Sequence, residues 1–80
     1  MSYFHEIWFI GRVDSKKIKT IIKNITAIEK DSVEFFLDPE KDSVGFCSSE
    51  NIMTNTVKKL ERAGFKIDSF NIEKEEEIYE

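Results

Sequence analysis

The sequence predicts an α+β fold, in which a four-stranded antiparallel sheet carries two helices on one face. Six short segments follow the order strand, helix, strand, strand, helix, strand, and they use almost all of the 80 residues. The strand segments are rich in alternating aromatic and β-branched residues, whereas the helical segments repeat aliphatic residues every three to four positions. A chain of this length forms one domain. We expect that domain over residues 1–72, followed by an acidic extension over residues 73–80.

The first strand is expected from Tyr3 to Val13, because both of its alternating faces are apolar, as in a central strand. Asp14 is a good N-cap for the helix that follows. One helical face is predicted from isoleucines spaced three and four residues apart: Ile18, Ile21, Ile22, Ile25 and Ile28. Isoleucine is a weak helix former, so burial against the sheet must stabilise this helix.

A hairpin and a second helix are predicted in the second half of the chain. Residues 33–38 and 44–47 alternate as strands around the turn at 39–42, in a register that places Phe36 opposite Gly45. Ser48 or Ser49 is expected to cap the second helix, and Gly64 is expected to end it in the left-handed conformation. The buried face of that helix is predicted to contain Met53, Val57 and Leu60. Residues 67–72 form the last strand.

The element order resembles the ferredoxin-like (split βαβ) fold, which implies the sheet order 4-1-3-2 with both helices on one face. The pattern from Ile7 to Ile67 also resembles heavy-metal-associated domains. Those domains carry Gly-Met-x-Cys-x-x-Cys before the first helix and Ala-Gly-aromatic after the second. Here Ala63-Gly64-Phe65 matches the second motif, but residues 11–17 contain no cysteine. Soft metals need thiolates, so we expect no metal. We expect no other cofactor either. The order is also similar to ACT-type regulatory domains, which bind small molecules at subunit interfaces.

The face of the sheet without helices is the predicted binding surface. The preferred register places there the candidate partner-binding residues Glu6, Trp8, Ile10, Arg12, Phe36 and Gly45. Two aromatic side chains, Trp8 and Phe36, are expected in a row with Gly45, where they could shield its backbone. An apolar patch with a charged rim is also typical of an interface. Shielding, a homodimer, and a separate partner or small ligand are therefore three interpretations of this patch.

Charge is distributed unevenly along the chain, whose net charge is −4. Residues 68–80 carry a net −5, including an acidic tail of Glu73, Glu75, Glu76, Glu77 and Glu80, whereas lysines dominate the first helix. Such a tail is either a solvated segment or a docking element for a basic partner. Strand three lacks the basic residues of RNA-recognition domains, so no direct nucleic-acid binding is expected. No membrane association is expected either, and the single cysteine favours a cytoplasmic location.

Cys47 and His5 are the candidates for a nucleophile and a base, but the preferred register points them to opposite faces of the sheet. Asp38, Glu40 and Asp42 lie in a turn too short for a calcium loop. We therefore predict a module that works by binding and not by catalysis. It would act as a protein-interaction or inhibitory module through the open face and the acidic tail, against a basic or nucleic-acid-binding partner or a second copy of itself. The alternative is a dimeric, ACT-like regulatory domain for a small ligand.

Overall fold

A computed structural model describes residues 2–75 of the chain. Three members of the predicted acidic tail, Glu76, Glu77 and Glu80, lie outside the described residues. The regular elements are, in chain order, β1 (Ser2–Phe9), α1 (Ser15–Lys23), a 3-10 turn (Lys30–Ser32), β2 (Glu34–Leu37), β3 (Asp42–Ser48), α2 (Met53–Arg62) and β4 (Ile67–Glu75). The last strand therefore extends three residues beyond its predicted end, into the expected tail.

The four described strands form one open antiparallel sheet with the order β2-β3-β1-β4, which reads β4-β1-β3-β2 from its other edge. Together with the two helices, this sheet confirms the predicted α+β class. The core is a single cluster that contains side chains from β1, β3 and both helices, including Ile7, Phe46, Ile22 and Leu60. Because both helices contribute to one cluster, they lie on the same side of the sheet. In residues 2–75, neither helix has the length and apolar character needed to cross a membrane.

β1 ends at Phe9, four residues before its predicted end, and this corrects the expected positions of Ile10 and Arg12. Gly11 adopts φ 76°, a left-handed conformation that turns the chain out of the strand direction. The Ile10 amide donates to the carbonyl of Lys66 at 3.0 Å, while Arg12 lies in the loop before α1. The prediction that Ile10 and Arg12 continue the open face of β1 is therefore wrong.

Asp14 caps α1 as predicted, since its carboxylate accepts from the amides of Lys16 and Lys17 at 3.1 and 3.2 Å. The helix itself is shorter than the isoleucine pattern suggested, because it ends at Lys23. Ile25 and Ile28 lie beyond that end but remain buried in the core. Periodic burial therefore continues into a segment that is no longer helical.

The β2–β3 hairpin has a different register from the predicted one. Phe36 lies opposite Ser43, and Gly45 lies opposite Glu34. Asp42, expected in the turn, is instead a fully buried strand residue that binds Arg12 and the amide of Val13. Starting the strand at Asp42 moves each pair along β2 by two positions. An even shift leaves every side chain on its predicted face.

α2 begins at Met53 and not directly after the serines, so the prediction of a serine cap is wrong. The Met53 amide donates to Oδ1 of Asn51 at 3.2 Å. The end of the helix follows the prediction, with Gly64 at φ 98° and the Phe65 amide donating to the Leu60 carbonyl at 3.1 Å. This is the hydrogen bond of a Schellman motif, in which glycine relieves the strain of the left-handed residue.

Candidate docking surface on the open sheet face

The open face of the sheet is defined by the pairing of its strands. Opposite residues in antiparallel strands share a face, so the pairs of Trp8 with Ser43 and Ser69 fix which side each strand presents. The open face consists of Ser2, Phe4, Glu6 and Trp8 from β1, Glu34 and Phe36 from β2, Ser43, Gly45 and Cys47 from β3, and Ser69, Asn71, Glu73 and Glu75 from β4. Four of the six predicted partner-binding residues, Glu6, Trp8, Phe36 and Gly45, therefore lie on this face.

Two aromatic rings cover Gly45. The ring of Phe36 was predicted there, whereas the ring of Phe4 was not. A Cβ atom on Gly45 would lie 3.2 Å from Phe4 and 3.4 Å from Phe36. Trp8 instead shares a row with Ser43, away from the glycine. Phe4 was missed as a site residue, although its alternation with Glu6 and Trp8 placed it on the same face. The face has an aromatic centre of Phe4, Phe36 and Gly45, where the absent side chain leaves room for both rings.

Every charged strand residue on the open face is acidic among the described residues. These side chains are Glu6, Glu34, Glu73 and Glu75. The two members of the predicted tail that the structure describes thus belong to β4 and share a face with the aromatic centre. Glu75 also accepts a hydrogen bond from the Ser2 hydroxyl at 3.1 Å. The aromatic patch and the start of the acidic segment, separate in the sequence, are one surface.

The helical layer on the opposite side is basic. α1 carries four lysines and no acidic residue, and α2 carries three cations and one glutamate. The two sides of the sheet therefore differ in sign of charge. A protein with such a field orients itself as it approaches a charged partner, and it presents its acidic side to a basic surface.

A groove lies at the end of the open face beside Trp8. It has a volume of about 340 Å³ and is lined by Trp8, Asp38, Glu40, Lys41, Asp68 and Ser69. Its rim is closed by an ion pair between Lys41 Nζ, from the β2–β3 turn, and Asp68 Oδ2, from β4, at 2.7 Å. This contact lowers the pKa of the Asp68 carboxyl and raises the pKa of the Lys41 ammonium. Because β1 lies between β3 and β4, the pair spans the end of β1.

Arg12 does not lie on the open face as predicted. It contacts the β2–β3 turn instead. Its guanidinium donates to Asp42 Oδ1 at 2.5 Å, to the Asp38 carbonyl at 2.6 Å and to the Pro39 carbonyl at 2.9 Å. The amide of Val13 completes the contact by donating to Asp42 Oδ2, and that amide is the main cause of the lowered pKa of the Asp42 carboxyl. Arg12 therefore fixes the loop after β1 to the β2–β3 turn that forms one wall of the groove.

Cys47 and His5 lie on opposite faces, as the preferred register predicted. Cys47 is partly exposed on the open face, and burial followed by the charges of Glu75 and Glu29 raises the pKa of its thiol. A raised pKa disfavours the thiolate that a nucleophile needs. His5 is fully buried on the helix side and stacks on Phe46 with ring centroids 4.7 Å apart. The two side chains cannot form a hydrogen-bonded pair in this arrangement.

His5 has a role in the fold that the sequence analysis missed. Its Nε2 accepts from the Ile52 amide at 3.2 Å, at the start of α2, and its Nδ1 lies 3.2 Å from the Tyr3 carbonyl. Burial lowers the pKa of this imidazole, although hydrogen bonding with backbone groups opposes the shift. The neutral ring with its proton on Nδ1 satisfies both contacts. A serine or aspartate next to the helix would have indicated a cap, but a histidine 47 residues upstream gives no such signal.

Within residues 2–75, no three His, Cys, Asp or Glu side chains are grouped so that they could hold a metal ion. The three acidic side chains of residues 38–42 do not point to one place. Asp42 is buried against Arg12, whereas Asp38 and Glu40 face solvent. Comparison of the chain with protein-family models and with curated protein sequences finds no match. The surface chemistry of the sheet therefore carries the functional interpretation.

Proposed function

We propose that this chain is a ferredoxin-like, cytoplasmic module that binds a basic protein through the open face of its sheet, as an interaction or inhibitory domain. The strand order β4-β1-β3-β2 and the position of both helices on one side support the fold assignment. One observation carries the function. The exposed aromatic ring of Phe36, the half-buried rings of Phe4 and Trp8, and the carboxylates all occupy one surface.

The charge of this surface favours a different molecule over a second copy of the chain. In a face-to-face dimer, the four glutamates of one copy would lie near the four of the other. Like charges brought together in an interface are unfavourable. A partner with arginine or lysine around an apolar centre would instead complement both parts of the face. Such residues are typical of proteins that bind nucleic acid, and an inhibitor of such a protein would present carboxylates where phosphates bind.

Binding to a basic partner can be tested with matched variants of the immobilised protein and a lysate of its native host. The captured protein should have a basic isoelectric point, and raising the salt concentration should release it. Substituting Glu6 and Glu34 together with glutamine should abolish capture, whereas Lys16→Gln with Lys23→Gln on α1 should preserve it. Capture that is equally sensitive to both pairs, or absent, would contradict the proposal.

Light scattering after size exclusion separates this proposal from self-association. We expect a monomer near neutral pH for the wild type and for the Trp8→Ser/Phe36→Ser variant. A wild-type dimer that becomes a folded monomer in the variant would instead show that the open face binds a second copy. That outcome would favour the homodimeric and ACT-like interpretations and would contradict the proposed heterologous partner.

A further inference from the structure

The β1–β4 pairing contains an irregularity that shapes the groove beside Trp8. Trp8 pairs with Ser69, but the next residue of β1, Phe9, pairs with Ile67. Asp68 is therefore an extra residue on β4, as in a β-bulge. Such bulges redirect a side chain relative to the regular alternation of the strand. Here the carboxylate of Asp68 reaches the Lys41 ammonium and lines the groove on the open face.

The groove combines an aromatic wall with an excess of negative charge. Trp8 supplies the ring, and Asp38, Glu40 and Asp68 supply three carboxylates against the single ammonium of Lys41. Asp68 is held by Lys41, and one oxygen of Asp38 accepts from the Glu40 amide at 3.0 Å. The groove thus keeps a net charge of −2 beside an indole ring. A cation is stabilised both by the ring face and by the carboxylates.

We infer that this groove receives an arginine side chain of the basic partner, with the guanidinium against the Trp8 indole and paired with the carboxylates of the β2–β3 turn. This inference rests on the proposed function and specifies its anchoring contact. Arginine fits better than lysine because a planar guanidinium stacks on an aromatic ring and donates two parallel hydrogen bonds to one carboxylate. The ammonium of Lys41 already occupies the side of the groove next to Asp68, so Glu40 and Asp38 are the available acceptors.

Two sets of contacts fix the turn beside the groove, so the groove is a defined site and not a general acidic area. Arg12 holds the β2–β3 turn through the carbonyls of Asp38 and Pro39, and the Lys41–Asp68 pair joins that turn to β4. The turn that carries the acceptors is therefore held at two points, by the loop after β1 and by β4. A preorganised site loses less conformational freedom when a side chain binds to it.

The chain offers a direct reporter, since Trp8 is its only tryptophan. We would titrate the wild-type protein with a blocked peptide of nine arginines at low salt and follow Trp8 fluorescence, with a peptide of nine lysines as the comparison. The arginine peptide should bind about fivefold more tightly than the lysine peptide and should change the Trp8 emission, because only the guanidinium stacks well on the indole. Equal affinities without a change in emission would overturn the inference.

Matched substitutions separate the effect of the groove on peptide binding from the effect of the total charge. Glu40→Gln should weaken binding of the arginine peptide several-fold, whereas Glu61→Gln on α2 makes the same charge change away from the face and should have little effect. Lys41→Gln should strengthen binding, because removing the competing cation and freeing the Asp68 carboxylate outweighs the loss of the contact between the turn and β4. Lys74→Gln, on the helix side of β4 opposite Tyr3, should not. Equal effects within either pair would contradict a defined arginine site.

One more variant distinguishes failure of this inference from failure of the proposed function. Glu73→Gln removes a carboxylate of the open face that lies outside the groove. If binding falls with Glu73→Gln but not with Glu40→Gln, the open face binds basic partners and the groove is not the anchor. If neither variant weakens binding, or if the peptide does not bind, both proposals are wrong.

Discussion

The buried imidazole of His5 makes the stability of this protein depend on pH in a predictable direction. Burial disfavours the charged ring and lowers the pKa of His5, and in the neutral ring Nε2 accepts the Ile52 amide. The unfolded chain takes up the proton below a pH of about 6.5. The unfolded state therefore binds more protons at acid pH, and the free energy of unfolding falls as the pH decreases from 6.5 towards the lowered pKa.

Two substitutions of His5 separate the contribution of its ring from that of its hydrogen bond to stability. His5→Phe keeps an aromatic ring against Phe46 but leaves the Ile52 amide without its acceptor. A buried donor without a partner costs about 1–3 kcal/mol. In a domain of this size, a loss of 1 kcal/mol lowers the melting temperature by about 4–8 °C. His5→Gln loses the ring but has an oxygen that can accept the same hydrogen bond.

Urea denaturation at pH 7.5 and pH 5.5 tests this reasoning, with the wild type and both variants followed by circular dichroism. His5 is the only histidine of the chain, and carboxyl groups titrate mostly below this range. The wild type should lose free energy of unfolding at pH 5.5, whereas the difference between the two pH values should shrink in both variants. An unchanged pH dependence in His5→Phe and His5→Gln would refute the assigned role of the neutral ring.

The remaining predictions concern the end of α2 and the thiol on the open face. Gly64→Ala should destabilise the protein by roughly 1–2 kcal/mol in thermal melts, because φ at this position is 98°. Gly64→Asn should cost less, and equal losses would contradict the assignment to backbone strain. Cys47 should react slowly with iodoacetamide at pH 7 and faster as the pH approaches 9, since burial raises the pKa of its thiol. Rapid alkylation at pH 7 in the folded protein would contradict this environment.

Local patterns predicted the faces of the sheet better than they predicted the contacts on it. Alternation assigned Trp8, Phe36 and Gly45 to the open face, and this survived a wrong hairpin register because the shift was even. Which ring covers Gly45 depends on the pairing of distant strands. The β2–β3 pairing places Phe36 opposite Ser43 and not opposite Gly45. The β1–β3 pairing places Trp8 opposite Ser43 as well, and Phe4 is the β1 ring that lies near the glycine. The sequence pattern contains no information on that choice.

Long-range polar contacts were the main features that the sequence did not reveal. Asp42 is typical of a turn by composition, yet the guanidinium of Arg12 and the amide of Val13 allow it to be buried as the first residue of β3. The bulge at Asp68 has no glycine or proline to indicate it. The Arg12–Asp42 contact and the Lys41–Asp68 contact each join segments more than 25 residues apart, where local propensity has no influence. The cap at Gly64, which depends on neighbours only, was predicted correctly.

The most direct test of the docking surface is a map of amide chemical shifts in the ¹⁵N-labelled protein during titration with the nine-arginine peptide. We predict that the perturbed amides cluster on the open-face strands, at Glu6, Gly45 and Asn71, and around Trp8, and that those of α1 remain unchanged. Perturbations confined to residues 76–80 would show that the peptide binds the end of the chain and not the sheet, and they would contradict the account.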